Sequence, residues 1–313
     1  AAGPSFISNF KMSKGNLIKF ISYLVVVGLI FFVFDRSLSL GLRRIVKNSE
    51  FRFSRLYQGG VDANIVIIGN SRAVNAFYVP KIEKELNRSV FHLGYNGMSM
   101  EVADTLFADY LQHNARPEQL LVEITNLSVG NALVKDLKPY YGFSSNLMAL
   151  SSDSIPEIYA ATKVAHLYRF NGELFLRSLF YMKQSDQSWI NRSEIDPAFA
   201  GSFLSSVDER NKRLFPVEGQ NWNSLISLIT LCEQNDVELE LIISPYLPAL
   251  REAYIYYESD LKRMEENLPF GTRVWDYSNA LNSSTNFADP LHINRKGAEK
   301  LFETMLQDGL FAP

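Results

Sequence analysis

The chain has four histidines, His92, His113, His166 and His292. His292 stands in Phe287-Ala288-Asp289-Pro290-Leu291-His292-Ile293-Asn294, directly before a helical pattern. A carboxylate three residues back on a loop can hold one ring nitrogen and fix the tautomer. The other nitrogen is then free to take a proton from a hydroxyl. The spacing also recurs by chance, and an aspartate near a helix cap with a surface histidine is the plain alternative. The hydroxyl that such a base needs is offered by Ser71, in Asn64-Ile65-Val66-Ile67-Ile68-Gly69-Asn70-Ser71-Arg72. A short β-branched apolar run ended by glycine reads as a buried strand, with Ser71 just past its C-terminal end. Ligands of open α/β sheets bind at that edge. Serine also commonly caps a following helix, so the stretch alone leaves both roles open.

Composition narrows the chemistry. The 313 residues are 47% hydrophobic and 21% charged, ordinary for a globular protein of one large or two small domains. The net charge of -3 provides no basic footprint for nucleic acid. A single cysteine, Cys232, excludes an internal disulfide and a zinc site built on several cysteines, and its apolar flanks predict a buried thiol. No metal or cofactor is called for.

The elements that must position Ser71 and His292 follow from the apolar pattern. Strands are predicted at 64–69, 89–93, 119–125, 237–243 and 273–276. Helices are predicted near 79–88, 98–114, 221–234, 249–267 and 294–307. Strands alternating with helices imply parallel crossovers, hence an α/β three-layer sandwich on a mostly parallel five-stranded sheet. Residues 130–220 break the rhythm. Ninety residues are too many for one connection, so an inserted subdomain is expected, serving as a lid, a partner surface or an acceptor groove.

Residues 1–11 lack periodicity and are read as a cloning leader, with Met12 the native start. Leu17–Phe34 is apolar except for Lys19, and as a helix it is roughly 27 Å long, close to the hydrocarbon thickness of a bilayer. It has no polar face and no cleavage signal after it, so 12–35 is expected to be a transmembrane anchor. Basic residues lie on both sides, so charge does not decide the orientation. Residues 36–59 are expected to be a juxtamembrane connector, either amphipathic at the membrane surface or a solvated linker. The soluble domain then spans 60–313.

Four polar features now fall at predicted strand ends: Ser71, Gly97, Asn126 and the Asp289/His292 pair. In that order they resemble the blocks of the SGNH (GDSL-like) hydrolase superfamily. Gly69-Asn70-Ser71 matches the first block. Gly97 in HLGYNGMS is the better match to the second, with Gly94 the lesser one. Asn126 in Ile124-Thr125-Asn126-Leu127 matches the third, and Asp289 to His292 the last. The resemblance implies Ser71 as nucleophile, His292 as general base and Asp289 as its orienting carboxylate. It implies an oxyanion hole made of the Ser71 and Gly97 N–H groups and the Asn126 amide. The sequence departs from the family at Asn70, where the family has Asp, and in the third block, which lacks its glycine and its Asp. Arg72 follows the serine. Arg72 and Asn70 are candidate substrate contacts, and Arg72 alternatively pairs with a carboxylate nearby.

These departures, together with the anchor, are similar to the membrane-anchored members that act in teichoic acid D-alanylation and polysaccharide acetylation. The resemblance thus implies a single-pass protein of the cytoplasmic (inner) membrane with its domain outside the cytoplasm. It would carry an acyl group, acetyl above all, to a cell-envelope glycan. An esterase using the same residues, and a non-catalytic scaffold for a membrane-bound O-acyltransferase partner, remain open.

Overall fold

Ile65–Ile68 (β1) is a continuous run of β-branched residues with every side chain fully buried. Burying such side chains contributes on the order of 1.5–3 kcal/mol each. It is flanked in the sheet by Val90–His92 (β2) and Gln119–Glu123 (β3), and Glu238–Ile243 (β4) and Val274–Asp276 (β5) follow. The order is β2-β1-β3-β4-β5 and every pairing is parallel. The register Ile68↔Val122 and Glu123↔Ile242 aligns the strand ends, so the loops after β1, β3 and β4 leave from one rim. The strand order reverses direction at β1, which opens a crevice between the loops after β1 and β3. The structure is a computed structural model, and it describes residues 13–187, 190–196 and 213–311. The expected leader at 1–11 and the start at Met12 lie outside the described residues.

The helices around the rim are short. Ser71–Ala76 (α3) follows β1, and Val79–Leu86 (α4) returns to β2. Met100–His113 (α5) links β2 to β3, and Gln220–Gln234 (α9, after the insert) leads into β4. The stretch 249–267 forms two helices, Pro248–Ala253 (α10) and Tyr257–Asn267 (α11). The break falls where Tyr254 and Tyr257 both turn in to pack on Tyr246. Arg295–Gln307 (α12) closes the fold.

Lys14–Lys47 (α1) is one helix of 34 residues, capped by the Ser13 hydroxyl, which accepts the Asn16 N–H at 3.3 Å. It is long and apolar enough to cross a membrane, and none of its 18-residue apolar window is buried in the fold. The connector differs from expectation. Its first part continues α1, and its second, Arg52–Gln58 (α2), lies in the core with Phe53, Ser54 and Leu56 fully buried. The aromatic residues among its arginines are therefore core residues, and they stand against Tyr95, Tyr140 and Tyr181.

The insert contributes Ser145–Ser154 (α6), Pro156–Val164 (α7) and Glu173–Phe180 (α8), the first two separated by Ile155 alone and the last two joined by the 3-10 turn His166–Phe170. It shares the main core through Leu137, Tyr140, Leu147 and Leu174. Its later residues are stitched to the rim at both edges. The His92 N–H donates to the Gln187 side chain at 2.6 Å, while the Ile195 N–H donates to Phe287 O at 2.9 Å. The Arg295 N–H donates to Asn191 O at 2.7 Å. Cys232 is buried, and burial pushes its thiol up to about 12.

Candidate active site

The turn from β1 into α3 is built around Gly69, whose φ of 146° lies where side-chain-bearing residues rarely go. A Cβ there would meet Glu123 Cβ at 2.9 Å and Ala73 Cβ at 3.0 Å. The capping role goes to Asn70, whose side-chain oxygen accepts the Arg72 N–H at 2.8 Å. Ser71 is thus left as the first helical residue, half-buried, with its hydroxyl facing the far end of the chain. There the His292 Nε2 stands 2.8 Å from Ser71 Oγ. The His292 Nδ1 donates to Asp289 at 2.8 and 2.9 Å. The three residues are spread over 221 positions and meet over one sheet edge.

The loop Phe287–Ile293 holds this geometry by closing on itself. Asp289 Oδ1 accepts the N–H groups of Leu291 at 2.9 Å and His292 at 3.0 Å, and the Ala288 N–H donates back to His292 O at 2.9 Å. Burial pushes the Asp289 carboxyl up. The bond to His292, the imidazole itself and these two N–H groups outweigh burial and hold it below the ordinary carboxylate value. Asp289 is therefore ionised at neutral pH and keeps the Nδ1–H tautomer, which leaves Nε2 as the proton acceptor for Ser71.

The other predicted residues divide into two groups. Asn126 sits in the 3-10 turn Ile124–Ser128 directly after β3, and it is fully buried. Neither its Nδ2 nor its Oδ1 has a partner among the described residues. An unpaired buried amide costs about 1–3 kcal/mol, so such a group calls for an explanation. Gly97 is exposed at φ 72°, and its N–H makes no bond within the described residues. Gly94, the lesser match, packs against the β1 exit instead. A Cβ on it would stand 2.9 Å from Gly69 O, and the next residue's N–H, that of Tyr95, already donates to that oxygen.

Arg72 and Asn70 are occupied within the fold. Arg72 is buried; its Nε bonds Glu123 at 3.3 Å, and its Nη1 donates to Leu291 O at 2.7 Å. Its Nη2 donates to Ser244 O and Pro245 O, and its guanidinium lies 3.6 Å from the Tyr246 ring centroid. Arg72 thus pairs with a carboxylate, one of the two roles open to it, and ties the loops after β1, β3 and β4 to the His292 loop. Asn70 Nδ2 donates to Thr125 at 3.3 Å. Both side chains are buried and turned into the fold.

Three participants behind the site were not picked out from sequence. Glu123 closes the Arg72 network, accepting also from Thr125 at 2.6 Å and from the Ser244 N–H at 3.3 Å. Its signal was a lone acidic residue inside the apolar run QLLVEIT. His92 is fully enclosed beneath α3, its Nε2–H donating to Ala73 O at 3.1 Å. Burial and then the nearby Arg52 cation lower its pKa to about 3. Arg52 reaches up from α2, donates to Gly94 O and to His92 Nδ1, and is paired with Asp186 of the insert at 2.6 Å.

A small cavity of about 60 Å³ borders Val74 of α3 and Asn96, walled by Phe51, Tyr95 and Tyr181 and by the charged Arg52, Arg177 and Asp186, and it includes none of Ser71, Asp289 and His292. A larger one of about 690 Å³ lies among α5, α6 and α9 and includes none of Ser71, Asp289 and His292. Among the described residues no cluster of His, Cys, Asp or Glu is arranged to hold a metal ion.

Among solved structures the chain is similar to a protein from Streptococcus pneumonia provisionally described as a platelet activating factor. They share 10% identity over 92% of this chain and 98% of that one, with a TM-score of 0.41. It is also similar to a protein from Bacteroides fragilis NCTC 9343 provisionally described as an acylhydrolase. There the identity is 11% over 80% of this chain and 89% of that one, with a TM-score of 0.39. No protein-family model and no curated protein matches the chain.

Proposed function

We propose that this chain is a membrane-anchored acyl-transfer enzyme that works outside the cytoplasm through Ser71, His292 and Asp289. Its substrate is an acyl group, acetyl above all, delivered to a hydroxyl of a cell-envelope glycan. The observation that carries the reading is the alignment Asp289–His292–Ser71, with both ring nitrogens of His292 engaged at 2.8 Å.

The reaction runs in two halves. Ser71 Oγ attacks the acyl carbonyl carbon while His292 Nε2 takes the hydroxyl proton. The carbonyl oxygen becomes the oxyanion of a tetrahedral intermediate. The Ser71 N–H, the Gly97 N–H and the Asn126 Nδ2 amide are the donors offered to it. The Ser71 amide opens a helix, so it has no intrahelical acceptor. Collapse expels the donor's leaving group, which takes the proton from His292 and leaves an ester on Ser71. The glycan hydroxyl then loses its proton to His292 and attacks that ester. Collapse returns the proton to Ser71 and releases the acylated glycan. Asp289 stabilises the imidazolium in both halves.

Hydrolysis is the second reading, and one observation favours it. The His292 and Asp289 side chains remain 21% and 34% exposed, so water can reach the acyl-enzyme. The deciding experiment uses the full chain in native membranes, wild type against Ser71→Ala, with glycan-bound acetyl measured. The variant is expected to transfer none, and unchanged acylation would overturn the proposal. A serine-directed phosphonate that fails to label Ser71 in the wild type would assign the protein to scaffolding. Free acetate without transfer would assign it to hydrolysis.

A further inference from the structure

At the top of its apolar window α1 is fastened to the insert. The Asp35 carboxylate accepts the N–H groups of His166 and Leu167, both at 2.9 Å. Arg36 Nη2 donates to the carbonyls of Lys163 and Val164, both at 3.3 Å. The two side chains pair with each other at 2.7 Å, and the Arg36 guanidinium lies 4.7 Å from the Phe32 ring centroid. The end of α7 and the following 3-10 turn are thereby fixed at the level of Phe31–Phe34. Val164 is nevertheless 78% exposed, and the three neighbouring anchor phenylalanines are 55–69% exposed. Between them runs an open groove of about 450 Å³, walled by Phe31, Phe32, Phe34, Val164, Ala165 and Leu167, with the Arg36-paired Asp35 also in its lining.

We infer that residues 163–168 form a membrane seat, and that the groove takes an acyl chain of a bilayer phospholipid. The inference rests on α1 crossing the membrane. If Leu17–Phe34 fills the hydrocarbon layer, Asp35 and Arg36 lie at the headgroups. The groove then opens into the layer's edge, continuous with the lipid-facing surface of the helix itself. The chemistry matches that depth: apolar walls below, and above them the cationic Lys163 and Arg36 at the height of lipid phosphates. A solitary exposed valine needs no partner, but one that extends a span's apolar surface has bilayer as its neighbour. The insert is thereby held at a fixed height by two contacts, the helix and the seat.

The test uses the full chain reconstituted in vesicles of phosphatidylcholine and phosphatidylglycerol. Nitroxide labels are placed by Leu24→Cys, Val164→Cys and Phe270→Cys, each in a Cys232→Ala background. Collision with oxygen reports lipid, and collision with a water-soluble nickel chelate reports solvent. Positions 24 and 164 are expected to be oxygen-rich and several-fold protected from nickel relative to 270, which is fully exposed in the loop before β5. If 24 is protected and 164 behaves like 270, the seat is overturned and the groove belongs to a protein partner. If 24 is also open to nickel, the transmembrane reading falls and the seat falls with it.

Discussion

Two imidazoles grip the same short helix, α3, from opposite sides. On the front, His292 meets the Ser71 hydroxyl with one nitrogen and a carboxylate with the other. On the back, His92 meets the carbonyl of Ala73 with one nitrogen and the Arg52 guanidinium with the other. A carboxylate behind the front ring accepts its Nδ1–H and leaves Nε2 turned to the serine. Burial makes protonation of the back one costly, and the cation behind that ring adds to the cost. The first ring is set up to carry a proton and the second to brace a backbone. The two roles differ in the depth of the ring and in the group that faces Nδ1.

The most severe way to break this contrast is to remove the front ring. His292→Ala is expected to lower acyl turnover by about 10⁴-fold or more, as loss of the base does in serine triads. Thermal melting should change little, because the His292 ring is partly exposed. Turnover within tenfold of wild type would erase the distinction between the two histidines. Next in size is Asn126→Ala, expected to slow turnover by about 10²–10³-fold. Its stability should hold or rise, since an unpartnered buried amide is removed. Falling stability with normal turnover would make Asn126 a packing residue.

The smallest effect on rate belongs to the back ring. His92→Gln is expected to leave turnover within tenfold and to destabilise the fold by about 1–3 kcal/mol, the usual range for a broken buried bond. It should also change the acid limb of the stability curve. The folded pKa of about 3 lies below the ordinary 6.5, so the unfolded chain binds this proton first. The contribution is complete above pH 6.5 and is lost as pH falls toward 3, at about 1.4 kcal/mol per pH unit. Denaturant titrations between pH 7 and 4 should be flatter in the variant than in the wild type. Asp289, held below its ordinary value of 3.8, acts in the same direction, but its contribution is lost mainly below pH 4, beneath that range.

The front of α3 was legible in the sequence and the back was not, for a physical reason. Ser71, Asn126, Asp289 and His292 follow apolar runs or stand on short loops, so a strand pattern delivers them to one rim. The back depends on a buried arginine. Arg52 lies in a stretch with five other basic residues, Arg36, Arg43, Arg44, Lys47 and Arg55, and looks like them in the sequence. Its burial is tolerable only because Asp186 stands 2.6 Å away, from 134 residues downstream. No local pattern encodes such a partnership. The division of 249–267 into two helices escaped for the same cause, since tertiary packing of Tyr254 and Tyr257 on Tyr246 overrides local helix propensity.

The stitches that the insert makes to both edges of the rim have a practical consequence for protein engineering. An eye trained on loops would treat the segment ending near 196 as a detachable cassette, to be traded for another when a new acceptor is wanted. Yet Gln187 is fastened to the strand bearing one histidine, and Asn191 and Ile195 are fastened beside the loop bearing the other. Excising that segment would unmoor the base as well as change the clientele, so retargeting is better attempted in α6 to α8, upstream of it.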